Sequence, residues 1–333
     1  MIDYPKISDS KHYLNIAKAE LVKYYEDFQA ALNFLQPFLK NKELASLLKD
    51  KLQFNNEPFK EKPFIQMACE LTVTSSLAKL FPADFVYEKR VTPPKNVDCF
   101  FKMTNFGFNV EVKCPCFDAQ EEIDDKPGLK IVTVGRLPNH HQELADLTAI
   151  LKEGMKNVGR ENEEVHVQKS MDNNLKDFLV SAGAKFPNTH ATSDLNLLVV
   201  CCSDASNIQE FFNSLFGHNG LFNGDSFHDR SSFSNVDVIL FTNLYHKHHK
   251  FYQKQHLKNN WDLNEAFNLF QVNPQIPSSK HESSVALVSA IKNYSLDLLA
   301  YDKPVQQLGT VGNCVRVIDF VKEELEAKGN LLF

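Results

Sequence analysis

Apolar residues recur at helical spacing through residues 11–39 (Leu14, Ala17, Leu21, Tyr24, Phe28, Leu32, Leu35), and Pro37 marks the end of that predicted helix. A short helix over 44–52 follows. In residues 63–81 the positions Phe64, Met67, Leu71, Ala78 and Phe81 share one face, with Pro63 suited to a helix start, Pro82 to a stop, and Glu70 beside the stripe. Three strand-like runs come next, at 85–91, 97–102 and 108–114, the last two separated by Met103-Thr-Asn-Phe-Gly107, whose Asn and Gly supply turn chemistry. Beyond them the pattern predicts a strand at 130–134, helices over 142–155 and 168–185, and two strongly apolar runs, 195–202 and 236–241, of the kind found in central strands covered on both faces. A helix near 207–216 lies between those runs, and helices near 283–299 and 315–328 form the tail. The class is α/β, a mixed central sheet flanked by helices. Residues 1–60 form a helical N-terminal extension, 61–260 a core with an insertion at 115–167, and 261–333 a mostly helical C-terminal region.

Composition narrows the class of partner. Hydrophobic residues make up 43% and charged residues 23% of the 333, the balance of a globular chain, so a disordered or fibrous protein is excluded. The formal net charge of −6 means that nucleic acid would have to be held by local basic patches. The 7 cysteines are odd in number and scattered, and read as buried, reduced thiols. Cys114 and Cys116 stand close, but no second Cys or His pair follows at zinc-finger spacing; His140 and His141 could complete a set, though nothing requires them to. The N-terminus lacks a basic-then-apolar signal segment and no apolar run spans a bilayer, which predicts a cytoplasmic protein without a membrane partner.

Strand alternation places Asn109, Glu111 and Lys113 on one face and Val110 and Val112 on the other. If the hairpin closes around residues 104–107 with Met103 opposite Phe108, then Asp98 falls opposite Lys113, on the face of Glu111. Two carboxylates and an ammonium at one end of a hairpin suit a hard divalent cation with a lysine left to handle water. A surface ion-pair ladder accounts for the same residues.

The order of elements adds to this. A helix with Glu70, a strand, a strand with Asp98, a strand with Glu111-Val-Lys113, a helix with Lys169 and a strand from Leu195 together resemble the core of the PD-(D/E)XK, or restriction-endonuclease-like, nuclease superfamily, over residues 63–202. Val97 stands where the family is named for Pro, and no Gln-x-x-x-Tyr signature of its exonuclease-like branch follows. The resemblance implies Mg²⁺, with Mn²⁺ as substitute, held by Asp98 and Glu111 and completed by Glu70, and a water-activating role for Lys113. It further implies phosphodiester hydrolysis of DNA in restriction, phage defence or repair, and a homodimer as the form many members take. RNA cleavage, as in a toxin, and an inactive binding module are the alternatives.

For a nucleic-acid surface, Gln168-Lys169 and Lys176 are candidates on the second core helix, and Lys247, Lys250, Lys254 and Lys258, at steps of three, four and four, would form one basic stripe on a helix. A solvated helix face explains the stripe equally well. Lys89, Arg90 and Lys95 flank the first core turn, and the acidic run Glu121, Glu122, Asp124, Asp125 reads as a solvated loop. The sequence contains no Gly-rich phosphate loop, nucleophile-elbow serine or His-Glu-x-x-His helix.

Overall fold

The computed structural model describes residues 6–115, 127–133, 140–160, 163–169, 171–189 and 192–333. The chain opens with α1 (Tyr13–Glu20), α2 (Val22–Leu35), α3 (Asn41–Ser46) and the long α4 (Glu61–Leu80). Strands β1 (Val86–Tyr87), β2 (Arg90–Thr92), β3 (Lys95–Asn96), β4 (Cys99–Met103) and β5 (Phe106–Lys113) follow. Next come β6 (Leu129–Thr133), α5 (His140–Asn157), β7 (Val165–Lys169), α6 (Met171–Gly183), β8 (Leu195–Cys201), α7 (Ala205–Phe216), β9 (Val238–Thr242) and α8 (Leu244–His248). The chain ends with β10 (Asn268–Val272), α9 (His281–Ala290), α10 (Ser295–Ala300), α11 (Lys303–Leu308) and α12 (Arg316–Phe320).

Six strands form the central sheet in the order β1-β4-β5-β8-β9-β10. It is mixed: β1, β4 and β5 run antiparallel to one another in turn, β5, β8 and β9 are parallel, and β10 returns antiparallel to β9. Every residue of β8 and β9 is buried, as their strongly apolar sequences require of strands inside a sheet with both faces covered. The strand β10, drawn from a region whose sequence pattern reads as helical, extends the sheet by one.

Alternation sorts the two faces. Tyr87, Cys99, Phe101, Phe108 and Val110 share the first, where Phe101 stacks on Phe108 at 4.7 Å between ring centroids and on Phe81, just past α4, at 4.5 Å. The long helix α4 therefore covers this face, and α2 packs outside it. On the second face lie Phe100, Asn109, Glu111 and Lys113, with Leu198, Val200 and Phe241 beyond them. Phe211 of α7 stacks on Phe241 at 5.6 Å, and α6 lies beside α7, burying Leu175, Leu179 and Ala182. The result is a three-layer sandwich of helix, sheet and helix.

Other elements also differ from the sequence expectation. The helix over 11–39 is broken at Leu21 (φ −139°, ψ 61°), and the two segments present Leu14 and Ala17, then Tyr24, Phe28 and Leu32, to one core. The helix placed at 168–185 begins only at Met171, because Gln168 and Lys169 are taken by β7, which pairs in parallel with β6 in a separate two-stranded sheet. That β6–α5–β7 unit fills the described part of the insertion and runs two residues past its expected end at 167. The hairpin closes on a two-residue loop, Thr104-Asn105, with Met103 opposite Phe106 and Thr104 at φ +54°. Gly107 is required next to it, since a Cβ there would lie 2.8 Å from Asp194 Oδ1, the atom that accepts its N–H. No described helix is long and apolar enough to cross a membrane.

Candidate active site

The tighter turn moves the β4/β5 register by two residues from the expected one. A shift of two preserves the faces, so Asp98, one residue before β4, comes opposite Glu111 rather than Lys113 and still shares its face. Asp98 Oδ2 accepts the Val112 N–H at 2.7 Å, which fixes the carboxyl against the outer edge of β5. Burial pushes the Asp98 carboxyl well above the usual carboxylate range, and the negative charges of Glu70 and Glu111 push it further.

Glu111 points into the second face, 1% exposed. Lys185, two residues past α6, donates to both its oxygens at 2.6 and 2.7 Å, and the Lys113 ammonium lies 2.8 Å from Oε1. Both lysines are about one-quarter exposed, so this charged pair stands at a mouth rather than inside the core. Asn109, on the same face, donates to Asn196 Oδ1 at 2.9 Å and leaves its own buried Oδ1 without a partner.

Glu70 reaches the site from α4, on the other face of the sheet. Its Oε1 lies 3.4 Å from the Lys51 ammonium and 3.3 Å from the Tyr87 hydroxyl, while Lys51 also binds Glu88 at 2.6 Å. Burial raises the Glu70 pKa, with Lys51 pulling the other way. Asp98 stands between the two halves and feels both acids.

The four carboxylates Glu70, Glu88, Asp98 and Glu111 are thus met by three lysines, Lys51, Lys113 and Lys185. This donor set is all oxygen, with two carboxyls destabilised as anions by burial, which is the environment a hard divalent cation relieves. The carboxylates stand further apart than a closed cation site: among the described residues, the group of three potential ligands whose atoms all lie within 4.8 Å of one another is Cys69, Cys114 and Cys201. That group lies on the first face. Cys114 and Cys201 extend the β5/β8 register and Cys69 comes from α4; hydrogen bonds from the Cys201 and Cys69 thiols lower the Cys114 pKa to about 5.

Sequence patterning found Glu70, Asp98, Glu111 and Lys113, and the structure brings their neighbourhoods together. It did not find Lys185, Lys51, Tyr87 or Glu88. Lys185 was detectable in principle, since it directly precedes Phe186, a residue at the core-facing spacing of α6, whereas nothing local marks Lys51 as a partner of Glu70.

The basic candidates fare differently. The stripe from Lys247 to Lys258 does not exist, because α8 ends at His248 and Lys250 has a left-handed backbone, φ +47°. Lys247 is 1% exposed and donates to the Glu265 carbonyl at 2.7 Å, and Lys254 donates to the carbonyls of His246 and His249. These lysines hold the chain together where His248 is enclosed between Tyr24 and Thr72. Lys169 belongs to β7, not to the second core helix; Lys176 lies on α6, 3.6 Å from Asp177. Lys89 packs over the Phe100 ring, and Lys95 donates to the Ala184 carbonyl at 2.9 Å. Cys116 and the acidic run at Glu121, Glu122, Asp124 and Asp125 lie outside the described residues.

No protein-family profile, no curated protein and no solved structure matches the chain.

Proposed function

We propose that this protein is a Mg²⁺-dependent phosphodiester hydrolase of the restriction-endonuclease-like type, with DNA as its substrate. The observation that carries the proposal is the placement of Asp98 directly opposite Glu111 at one end of the hairpin, with Lys113 and Lys185 on the buried acid. The element order α4, β1, β4, β5, α6, β8, with β8 parallel to β5, supports it, being the order on which the resemblance rests. Mn²⁺ would fit the same oxygen donors.

Asp98, Glu111 and Glu70 would hold the cation, whose chemistry when bound is to polarise a phosphoryl oxygen and to lower the pKa of a bound water. For Glu111 this requires an oxygen now engaged by Lys185 to turn to the cation, leaving Lys185 beside the substrate phosphate. Lys113, 2.8 Å from Glu111, is oriented by that acid and supplies positive charge where the attacking oxygen and the phosphorane oxygens become negative. Lys51, held between Glu70 and Glu88, offers a further positive charge on the Glu70 side of Asp98. The lysines at this mouth, rather than a remote basic stripe, are the proposed phosphate contacts.

The test is incubation of the purified protein with plasmid, linear DNA and RNA, with Mg²⁺ and with EDTA. Asp98→Ala, Glu111→Ala and Lys113→Ala are each expected to lower cleavage at least about 100-fold with the far-ultraviolet circular dichroism unchanged. Retained Mg²⁺-dependent cleavage in the Asp98 and Glu111 variants would falsify the proposal. Cleavage of RNA alone would reassign the substrate. One observation favours an inactive binding module as the second reading, the engagement of both Glu111 oxygens by lysine. Salt-sensitive DNA binding with no cleavage of any substrate would select it.

A further inference from the structure

We propose that Cys69, Cys114 and Cys201 form a binding site for a soft, thiophilic cation of the Zn²⁺ class, separate from the carboxylates and on the opposite face of the sheet. Three elements converge there: the middle of α4 supplies Cys69, the residue after β5 supplies Cys114, and the last residue of β8 supplies Cys201. Their sulfurs all lie within 4.8 Å of one another. In a zinc thiolate shell, sulfurs bonded at about 2.3 Å stand about 3.8 Å apart, so the three need close by only about 1 Å or less.

Two features set this group apart from ordinary packed thiols. Cys114 and Cys201 are lateral neighbours on adjacent parallel strands, pointing the same way, so the sheet itself holds two donors side by side and the helix adds the third. Cys69 and Cys201 are fully buried, whereas Cys114 is partly exposed, which gives a cation an entry path. Each of the three thiols is hydrogen-bonded to the other two. On binding, the protons that now link the sulfurs pass to solvent and the cation takes their place. Sulfur donors prefer Zn²⁺ and oxygen donors prefer Mg²⁺, so the two faces select different ions. Because Cys69 precedes Glu70 and Cys114 follows Lys113, a cation here would also fix the distance between α4 and the end of β5. The site stands whether or not the protein is a nuclease.

The test is titration of the reduced, metal-free full-length chain with Co²⁺, in excess Mg²⁺ to saturate oxygen ligands. One equivalent should bind with sulfur-to-cobalt charge-transfer absorption, and Zn²⁺ should displace it. Cys114→Ser is expected to weaken binding at least 100-fold, while Cys314→Ser, at an exposed thiol outside the group, should leave it unchanged. X-ray absorption of the Zn²⁺-loaded wild-type protein, which needs no variant to fold, should count three sulfur neighbours. Absence of stoichiometric binding, a shell of oxygen and nitrogen alone, or unchanged affinity in a folded Cys114→Ser protein would each overturn the site.

Discussion

Two of the buried carboxylates paired with lysine, Asp237 and Glu111, differ in what surrounds the ammonium. Asp237, just before β9, is bound by Lys280, which donates to both its oxygens at 2.7 Å and to the Thr189 hydroxyl at 2.6 Å; both side chains are 1% exposed. The Asn196 N–H completes the acid at 2.8 Å. Glu111 is as deeply buried, but its lysines, Lys113 and Lys185, are about one-quarter exposed, and a second acid, Asp98, stands opposite it across the hairpin. Closed on all sides by its own partners, the first pair fastens the start of α9 to the sheet. The second has ammonium groups that remain partly open to solvent. Burial of an ion pair thus does not by itself mark a site; the exposure of one partner and the excess of acids around it do.

The largest effect expected from this contrast is on stability. Lys280→Ala strands a buried carboxylate and should lower the unfolding free energy by about 3–5 kcal/mol, whereas Glu111→Gln, whose lysines can turn to water, should change it by about 1 kcal/mol or less. Urea denaturation of the two variants checks this, and equal losses would break the comparison.

Next comes acid. Burial lowers His12 and His246 to about 4 and His248 well below its ordinary 6.5, so each is neutral in the folded protein while the unfolded chain takes up a proton below pH 6.5. Their contribution is complete above pH 6.5 and is lost as pH falls from there toward 4, by about 1.4 kcal/mol per pH unit for each group and about 3 kcal/mol in all for His12. Melting temperatures should therefore be lower at pH 5 than at pH 7.5, and a folded His12→Asn protein should show a smaller difference, because the loss arises in the helical layer around α1, α4 and α8. An unchanged difference in that variant would place the loss elsewhere.

A smaller effect is expected from Lys254→Ala. Losing its two carbonyl contacts should cost about 1–2 kcal/mol of stability while leaving the salt dependence of nucleic-acid binding unchanged. Smallest is Lys185→Ala, which should reduce the slope of log affinity against log salt by about 0.9, the value of one phosphate contact, with little change in the urea midpoint. A slope altered by Lys254→Ala and untouched by Lys185→Ala would move the proposed phosphate surface away from the site.

The elements that were legible in the sequence were those whose pattern is local. Strongly apolar runs marked β8 and β9, and helical spacing marked α4. Alternation marked the face of Glu111, and it survived an error in the turn because a shift of two residues leaves every side chain on its own face. Local pattern failed where a residue's role depends on what another segment does. Lysines at steps of three and four from Lys247 to Lys258 predict a stripe only if the segment stays helical, and the chain instead leaves the helix after His248 and spends Lys247 and Lys254 on its carbonyls. Lys169 was lost to a strand because β6, about 36 residues earlier at Thr133, pairs with it.

What the sequence determined by itself is the α/β class, the central strands and the face carrying Asn109, Glu111 and Lys113, since period and hydrophobicity are properties of short stretches. Only the tertiary structure decided that Lys185 and Lys51 serve the acids, that Asp98 stands opposite Glu111, and that Cys69, Cys114 and Cys201 meet. Those residues are separated by up to 132 positions between Cys69 and Cys201, and only the packing of α4 on the β5/β8 pair brings such distant side chains into contact.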